Sequence, residues 1–314
     1  MAKNKVQFQK GISIHQFIEK YGTEIQCHNN LFDMRWPMGY RCPNCDNNKY
    51  CKLKSRALYQ CNKCHFQTSL ISGTLFAHSK LPLTTWFLAI YFVTQEKNGI
   101  SALELSRLLG ISYNATWRLK QKLMQAMKER DDEIPLVDYV QIDDAYWGGV
   151  RRGVRGRGAK GKRPFIAAVS INDEGHPIGM RFSAVDGFNK VEITRWAKAH
   201  LTPKAIVISD GLACFRAVKD AEMLHLAVVT GGGPDSVEWP YFKWVNTMIS
   251  NVKNSMHGTY HAINQKHLPR YLAEFCFKFN RRFNLKNMLE QLIVSSIRTA
   301  PMPQRLLKLA EVRW

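Results

Sequence analysis

Two pairs of cysteines constrain the fold of this chain more than any other feature of its sequence. Cys42 and Cys45 form one Cys-x-x-Cys pair, and Cys61 and Cys64 form a second pair after 15 intervening residues. Zn²⁺ prefers four soft ligands at tetrahedral corners, and two such pairs supply them from two tight turns. We therefore predict a closed, structural zinc site in a module that covers residues 39–76.

The charge of the chain narrows its range of partners. Among 314 residues, 45 are Lys or Arg and 25 are Asp or Glu, which gives a formal net charge of +20. Such an excess favours nucleic acid, because counterions are released when a basic protein neutralises phosphates. The hydrophobic fraction of 45% is typical of a folded chain rather than a disordered one. We therefore expect a folded protein whose leading partner is nucleic acid.

The sequence favours a location in the cytoplasm. The first residues, Met1 to Gly11, lack the apolar core of a secretory signal. The longest apolar run, Leu81 to Val93, contains Pro82 and is shorter than the roughly 20 residues of a membrane span. We expect a soluble protein without a membrane partner, located in the cytoplasm of a prokaryote and associated with its nucleoid.

A helical segment over residues 77–130 has the pattern of a helix-turn-helix. Helices are predicted at 83–95, 101–109 and 112–129, with Gly110 between the last two and Ser112 as an N-cap. In a helix-turn-helix the second helix enters the major groove of DNA. The side chains that it would offer are Tyr113, Asn114, Thr116, Arg118 and Lys120. An ordinary pair of packed helices is the alternative.

The rest of the chain, residues 131–314, switches between strand and helix periods in an informative order. Three consecutive strands are predicted, then a helix, a strand, a helix, a strand and a helix, at 136–147, 164–171, 177–185, 190–200, 205–209, 212–221, 224–229 and 241–256. This is the order of a ribonuclease-H-like fold, whereas simple alternation would indicate a doubly wound sheet. With a helical segment over residues 1–38, we predict an α/β protein of four domains.

Two aspartates lie where this fold would bring them together. Asp143 lies in the middle of an otherwise apolar strand, where a carboxylate is costly unless it binds a metal or a partner. Asp210 follows the fourth strand, and the first and fourth strands of a ribonuclease-H-like sheet are neighbours. Two carboxylates that share divalent cations form the core of a two-metal phosphoryl-transfer site. The sequence therefore predicts a site for Mg²⁺ or Mn²⁺.

A third ligand is expected on the helix after the fifth strand. The segment from Phe242 to Lys253 contains no carboxylate, but Asn246 and Lys253 are two helical turns apart and share a face. An amide oxygen can bind Mg²⁺, and a lysine beside it can hold a DNA phosphate. Glu238, in the loop before the helix, is the competing third ligand. We favour Asn246.

A glycine-rich basic loop connects the first two predicted strands. Residues 148–163 contain seven basic residues among six glycines. Such a flexible, polycationic loop beside the predicted metal site is suited to holding the DNA backbone. The predicted DNA-binding residues of this loop are Arg151, Arg152, Arg155, Arg157, Lys160, Lys162 and Arg163.

Over nearly its whole length the chain resembles the zinc-ribbon insertion-sequence transposases of the IS1595 group, members of the DDE-type superfamily. The motifs that carry the resemblance are the two cysteine pairs followed by residues 72–76, the strand motif at 142–149, Ser-Asp-Gly at 209–211, and the C-terminal segments 258–261, 270–275 and 279–282. The resemblance implies a ribonuclease-H-like catalytic domain with Asp143, Asp210 and Asn246 as metal ligands and Lys253 as their companion. Many relatives carry Glu at the third position, a subgroup carries Asn there, and many carry Glu where this chain has Asp144.

The implied function is that of a DNA transposase. It would cleave at the ends of its element with Mg²⁺ or Mn²⁺ and transfer the 3′-hydroxyl ends to target DNA. Double-stranded DNA, both terminal inverted repeats and target, is the expected partner, and pairing two ends calls for a homodimer or a higher oligomer. Two alternatives remain: a non-catalytic zinc-ribbon regulator that binds DNA, and a nuclease of the same fold that cleaves without joining.

Overall fold

A computed structural model of the chain describes residues 9–53, 56–148, 161–229, 239–260 and 262–310. The elements of these residues, in chain order, are α1 (Ile14–Tyr21), α2 (Glu24–Arg35), β1 (Tyr50–Leu53), β2 (Leu58–Cys61), β3 (Gln67–Ser69), α3 (Leu83–Gln95), α4 (Ala102–Leu109), α5 (Tyr113–Asp132), β4 (Tyr139–Trp147), β5 (Arg163–Ile171), β6 (Pro177–Ala184), α6 (Lys190–His200), β7 (Ile206–Ser209), β8 (Leu224–Ala227), α7 (Lys243–Tyr260), α8 (Leu268–Asn280), α9 (Leu285–Arg298) and α10 (Gln304–Leu309).

The chain divides into two compact units, and the boundary between them falls within α5. One unit comprises Met1–Ala126 with Phe283–Trp314, and the other comprises Met127–Arg282. The last two helices therefore belong to the first unit, because α9 packs against α3 and α2. The predicted catalytic segment, residues 131–314, includes these helices instead. The finer division into four domains stays a prediction.

In the first unit, aromatic side chains join the N-terminal helices to α3. Phe17 of α1 lies 4.8 Å from Tyr91 between ring centroids, and Tyr21 lies 5.2 Å from Phe87. A capping box starts α1, in which the side chain of Ser13 accepts from the backbone of Gln16. The apolar spacing of residues 14–21 thus reflects a helix whose buried face packs against α3.

The small sheet of the first unit is the predicted cysteine module. β1, β2 and β3 pair antiparallel in that order. One side of this sheet is covered by Phe32 and Trp36 from the end of α2, which contact Tyr59 of β2 at 5.5 and 5.6 Å between centroids. Large aromatic rings supply the core that so short a sheet cannot form from its own side chains.

The second unit is built on a five-stranded sheet. Its strand order is β6-β5-β4-β7-β8, in which β4 pairs antiparallel with β5 and parallel with β7. The first strand of this unit is therefore central and adjacent to the fourth. α6 covers one face of the sheet, and α7 and α8 cover the other. This topology confirms the ribonuclease-H-like fold predicted from the sequence.

Several elements of the second unit differ from the prediction. β4 begins at Tyr139 rather than residue 136, because Asp138 adopts a left-handed conformation with φ of 59° that interrupts the strand. The predicted helix at 212–221 is a 3₁₀ helix from Ala213 to Ala221. β8 ends at Ala227, two residues before the predicted end. None of the described helices is long and apolar enough to cross a membrane.

A buried ion cluster holds the end of α5 against α8 and β6 within the second unit. Asp131 accepts from Arg281 at 2.7 Å and from Asn280 at 3.0 Å. Asn280 also accepts from the backbone of Met180 at 2.7 Å and donates to its carbonyl at 3.0 Å. The motif at 279–282, one of the markers of the family resemblance, therefore serves the packing of this unit.

Candidate active site and zinc site

The four paired cysteines come together as predicted. Their sulfur atoms all lie within 4.8 Å of one another. Cys42 Sγ is 3.6 Å from Cys64 Sγ, and Cys45 Sγ is 3.6 Å from Cys61 Sγ. Zn–S bonds of about 2.3 Å in a tetrahedron separate the sulfurs by about 3.8 Å. The four thiols therefore fit a structural zinc ion.

Each cysteine pair lies in the same kind of turn. The residue after the second cysteine, Asp46 in one turn and His65 in the other, adopts a left-handed conformation with φ of 56° and 57°. The backbone N–H of Asp46 donates to the carbonyl of Cys42 at 2.9 Å, and that of His65 donates to Cys61 at 3.0 Å. These repeated turns aim both cysteines of a pair at one point.

Hydrogen bonds to sulfur favour the thiolate form that zinc requires. The backbone of Lys63 and the side chain of Asn47 donate to Cys61 Sγ at 3.4 and 3.5 Å. Burial raises the pKa of the Cys61 thiol, but hydrogen bonds from the backbones of Cys64 and Lys63 and from Asn47 outweigh it and lower the pKa to about 6. The Cys61 sulfur is thus suited to the deprotonated form.

Three carboxylates gather at one edge of the five-stranded sheet. Asp143, Asp144 and Asp210 each contribute an oxygen atom, and these oxygens lie within 4.8 Å of one another. All three side chains are half-buried. Oxygen ligands lie about 2.0–2.1 Å from Mg²⁺, so two ligands of one ion are at most about 4.2 Å apart. A cluster of this size suits one divalent ion or a bridged pair.

The strand register explains why Asp143 and Asp210 meet. In the parallel pair β4–β7, Gln141 lies opposite Ile208. Two residues further along each chain are Asp143 and Asp210, so the register brings them level at the end of the pairing. The sequence prediction that these residues converge is correct in its geometry.

Gly211 sets the direction of the chain directly after Asp210. It has a φ of 86°, and a Cβ atom there would lie 3.0 Å from Val229 Cγ2. The backbone N–H of Leu212 donates to Asp210 Oδ1 at 3.0 Å. The sharp turn therefore depends on glycine and fixes one oxygen of the carboxylate.

A hydrogen-bonded pair supports the same turn from the neighbouring strand. Ser209 Oγ lies 2.9 Å from His225 Nε2 of β8 and accepts from the backbone of Gly211 at 3.4 Å. Ser209 is fully buried. Burial lowers the pKa of His225, and Lys219 and Arg216 lower it further. The neutral imidazole suits this buried hydrogen bond.

Asp144 is the member of the cluster to which the sequence analysis assigned no role. Successive residues of a strand point to opposite faces, which argues against two adjacent ligands. The side chain of Asp143 accepts from the backbone N–H of Asp144 at 2.8 Å, which draws that carboxylate toward its neighbour. The family resemblance offered one indication of this role, because many relatives carry an acidic residue directly after the first aspartate.

α7 carries the two remaining predicted site residues. Asn246 and Lys253 are both half-buried. Burial lowers the pKa of the Lys253 ammonium, the charge of Asp143 raises it, Lys162 lowers it and Asp144 raises it. Lys253 is therefore electrostatically coupled to the carboxylates. The assignment of Asn246 as the third metal ligand stays a prediction, and its competitor Glu238 lies outside the described residues.

Most of the predicted basic loop lies outside the described residues, namely Arg151, Arg152, Arg155, Arg157 and Lys160. Of the two described members, Lys162 is exposed and is close enough to Lys253 to affect its pKa. Arg163 forms an ion pair with Asp186 at 2.8 Å. A DNA-binding role for these residues stays a prediction.

The helical break of the predicted helix-turn-helix is present. Gly110 ends α4 in a left-handed conformation with φ of 63°, and Ser112 Oγ accepts from the backbone of Ala115 at 3.3 Å. Tyr113 and Asn114 are exposed at the start of α5. This part of the prediction is compatible with the described geometry.

Three other residues of α5 that were predicted to contact DNA are buried or half-buried. Thr116 and Lys120 are 0% and 1% exposed, so their side chains cannot reach DNA from these positions. Arg118 is half-buried and donates to Gln304 of α10 at 3.2 Å. A role of Tyr113, Asn114 and Arg118 in DNA binding stays a prediction.

Comparisons with known proteins match both parts of the chain. Residues 22–67 match the transposase zinc-ribbon domain, and residues 135–280 match the ISXO2-like transposase domain of the IS1595 group. The zinc-ribbon match begins before α2, in agreement with the packing of Phe32 and Trp36 on the small sheet. Together the two matches take in more than half of the chain.

An uncharacterized protein in transposable element ISH50 of Halobacterium salinarum is 31% identical over 144 residues, which are 45% of this chain and 46% of that protein. The match thus spans about half the length of that relative. Solved structures also match the chain, and two of them are complexes of Mos1. The Mos1 strand transfer complex is 15% identical, covering 66% of this chain and 79% of the other, with a TM-score of 0.23. The Mos1 mariner paired end complex with Mn is 12% identical, covering 63% and 77%, with a TM-score of 0.22.

TM-scores this low support no conclusion about this chain. The two family matches fall on the segments that hold the four thiols and the three carboxylates. With its cysteine module and its ribonuclease-H-like sheet, the chain belongs to the IS1595 group of zinc-ribbon transposases.

Proposed function

We propose that this transposase cleaves DNA at the ends of an insertion sequence and joins the freed 3′-hydroxyl ends to target DNA. The observation that carries the proposal is the cluster of Asp143, Asp144 and Asp210, within 4.8 Å of one another in a transposase-family domain. The three carboxylates concentrate negative charge at one edge of the sheet, although the protein as a whole has a net charge of +20. We expect bound cations to balance this local charge.

The carboxylates would hold Mg²⁺ or Mn²⁺. Bound divalent cations polarise a phosphodiester and lower the pKa of a bound water. Asp143 and Asp210 supply the charge of the site, and Asn246 completes it as a neutral oxygen ligand. Because an amide contributes no charge, the affinity for metal depends on the aspartates. Asp144 adds a further carboxylate beside them.

Lysines beside the carboxylates would hold the DNA backbone. Lys253 is half-buried and coupled to Asp143, and Lys162 is exposed nearby. A phosphate that approaches the carboxylates needs compensating positive charge, because it carries the same sign as they do. These two ammonium groups supply that charge. The other basic residues of the predicted loop would add positive charge along the DNA strand.

The other predicted contacts to DNA lie in the first unit. The zinc ribbon and the start of α5, with Tyr113 and Asn114 exposed, would bind the terminal repeats. Two ends have to be paired for transposition, so the active species would be a homodimer or a higher oligomer. Binding through phosphates predicts an affinity that falls steeply with salt concentration.

The test uses the full-length, zinc-loaded protein and a plasmid that carries both ends of the element in which its gene lies. We expect strand cleavage at these ends with Mg²⁺ or Mn²⁺ and no cleavage in EDTA. In a second reaction, pre-cut ends are supplied with a target plasmid, and we expect covalent joining. Binding without cleavage would instead identify a regulator, and cleavage without joining would identify a nuclease.

A further inference from the structure

We infer that Gln141 is a positioning residue, which fastens the helix of the predicted third ligand to the strand of the first. Gln141 lies on β4, two residues before Asp143 and on the same face of the strand. Its side chain is 1% exposed. The inference rests on the proposed function, since it concerns the geometry of the same metal site.

The side chain of Gln141 serves as an N-cap for α7 from a different element. Gln141 Oε1 accepts from the backbone N–H groups of Trp244 and Val245, at 3.1 and 3.0 Å. These N–H groups belong to the first turn of α7, where no carbonyl of the helix itself is in reach. Gln141 Nε2 donates to the carbonyl of Pro240 at 3.1 Å.

The sequence around α7 explains why this cap comes from the sheet. An N-cap residue normally contributes a side-chain oxygen from Ser, Thr, Asp or Asn. The residue before α7 is Phe242, whose hydrocarbon ring is 4% exposed and packs in the core below the sheet. Phe242 therefore anchors the helix by burial, and Gln141 replaces the missing oxygen.

The cap has a consequence for metal binding. Asn246 follows Val245 directly, so the hydrogen bond to Gln141 ends one residue from the predicted ligand. At the other end, Gln141 and Asp143 are joined by two peptide units of a central strand. One side chain thus fixes the spacing between the first and third ligands. Outer groups that orient ligands in this way typically change metal affinity by about 10- to 100-fold.

The test uses Gln141→Met, which keeps the approximate shape of the side chain but lacks the acceptor that caps α7. The matched control is Ser170→Ala, which removes a buried hydrogen bond to the carbonyl of Val137 elsewhere in the same sheet. Titration of the zinc-loaded, full-length proteins with Mn²⁺ is followed by electron paramagnetic resonance. We expect about tenfold weaker Mn²⁺ binding in Gln141→Met. Ser170→Ala should bind Mn²⁺ as the wild type does.

Amide hydrogen exchange provides a readout without metal. In Gln141→Met the amides of Trp244 and Val245 should exchange about fivefold faster, the factor that corresponds to about 1 kcal/mol for a lost N-cap. Unchanged exchange and unchanged Mn²⁺ binding in this variant would overturn the inference. If Gln141→Met does not fold, Gln141→Asn, whose shorter side chain does not reach α7, supplies the same comparison.

The two proposals fail in different ways. A wild-type protein that binds Mn²⁺ but leaves the element ends intact contradicts the proposed function and leaves the role of Gln141 standing. A wild-type protein that cleaves, together with a Gln141→Met variant that binds Mn²⁺ and cleaves equally well, contradicts the role of Gln141 alone.

Discussion

The carboxylates of Asp143 and Asp210 approach each other because β7 runs parallel to β4 in a register that stops two residues before both of them. Neither residue belongs to a pattern that specifies the other, since Asp143 lies within a strand and Asp210 follows one. Their meeting is a property of the sheet order, which puts the first and fourth strands side by side.

Replacing either aspartate by asparagine should abolish metal-dependent cleavage. The side chain keeps its size, but the site loses one of the charges on which metal affinity depends. We expect Asp143→Asn and Asp210→Asn each to lower the cleavage rate at least about 10³-fold, or about 4 kcal/mol. DNA binding, measured by fluorescence anisotropy, should be retained.

Asp173→Asn is the matched control, since this aspartate is exposed in the turn between β5 and β6. It changes the net charge by the same amount as the two test variants. Its cleavage rate should equal that of the wild type. Normal cleavage by Asp143→Asn or by Asp210→Asn would remove the basis of the proposed function.

Gly211→Ala should weaken metal binding through the turn that directs Asp210. A left-handed conformation costs a residue with a Cβ atom about 1–2 kcal/mol, and the added atom would lie 3.0 Å from Val229 Cγ2. The backbone has to move to relieve this contact, and the carboxylate of Asp210 moves with it. We expect a lower melting temperature and a higher Mn²⁺ dissociation constant by titration.

Gly175→Ala separates the two effects. Gly175 has a φ of 76°, with open space where the Cβ atom would lie. Both variants therefore carry the same kind of backbone strain, but only Gly211 adjoins the carboxylates. Gly175→Ala should lower the melting temperature and leave the Mn²⁺ affinity unchanged. Equal Mn²⁺ affinities in both variants would contradict the role of the turn.

The sequence predicted the order of the strands and the convergence of Asp143 and Asp210, because both depend on local periodicity and on one rule of topology. It also predicted that the four paired cysteines cluster, since their spacing alone brings them together. It did not predict that Asp144 joins the cluster. That outcome depends on the side chain of Asp143, which bends along β4 to accept from the backbone of Asp144, whereas the alternation of faces alone would keep the two carboxylates apart.

Features that depend on contacts between distant segments of the chain could not be predicted from the sequence either. The cap that Gln141 provides to α7 joins residues about 100 positions apart, and nothing in either segment encodes it. Likewise, Lys120 is a charged residue on a predicted recognition helix, and nothing in the sequence indicates that it is only 1% exposed. The grouping of α9 with the N-terminal helices has the same origin.

Zinc should be lost when one of the paired cysteines is replaced. We expect Cys61→Ser to abolish stoichiometric zinc binding, measured by inductively coupled plasma mass spectrometry, and to unfold the small sheet, because binding free energy is folding free energy in such modules. Cys51→Ser is the matched control, since Cys51 is exposed on β1 of the same sheet. Retention of zinc by Cys61→Ser would refute the four-thiolate site.

His200 should make the second unit less stable in mild acid. Its pKa is lowered to about 4, mainly by burial and also by the charges of Arg181 and Lys128, while Asp132 opposes this. Its Nδ1 atom is buried without a hydrogen-bond partner among the described residues. Between pH 6.5 and about 4 the unfolded chain binds a proton that the folded chain does not, so this contribution to stability is present at neutral pH and falls as the pH falls.

The magnitude follows from the two pKa values. At pH 5 the folded state loses about 2 kcal/mol relative to pH 7 through this residue. In urea unfolding at the two pH values, His200→Gln should reduce the difference in unfolding free energy by that amount, whatever its own cost at pH 7. His176→Gln, at an exposed histidine, should leave the difference unchanged. The same difference in His200→Gln as in the wild type would mean that the imidazole is protonated in the folded state, and that its burial does not oppose the charge.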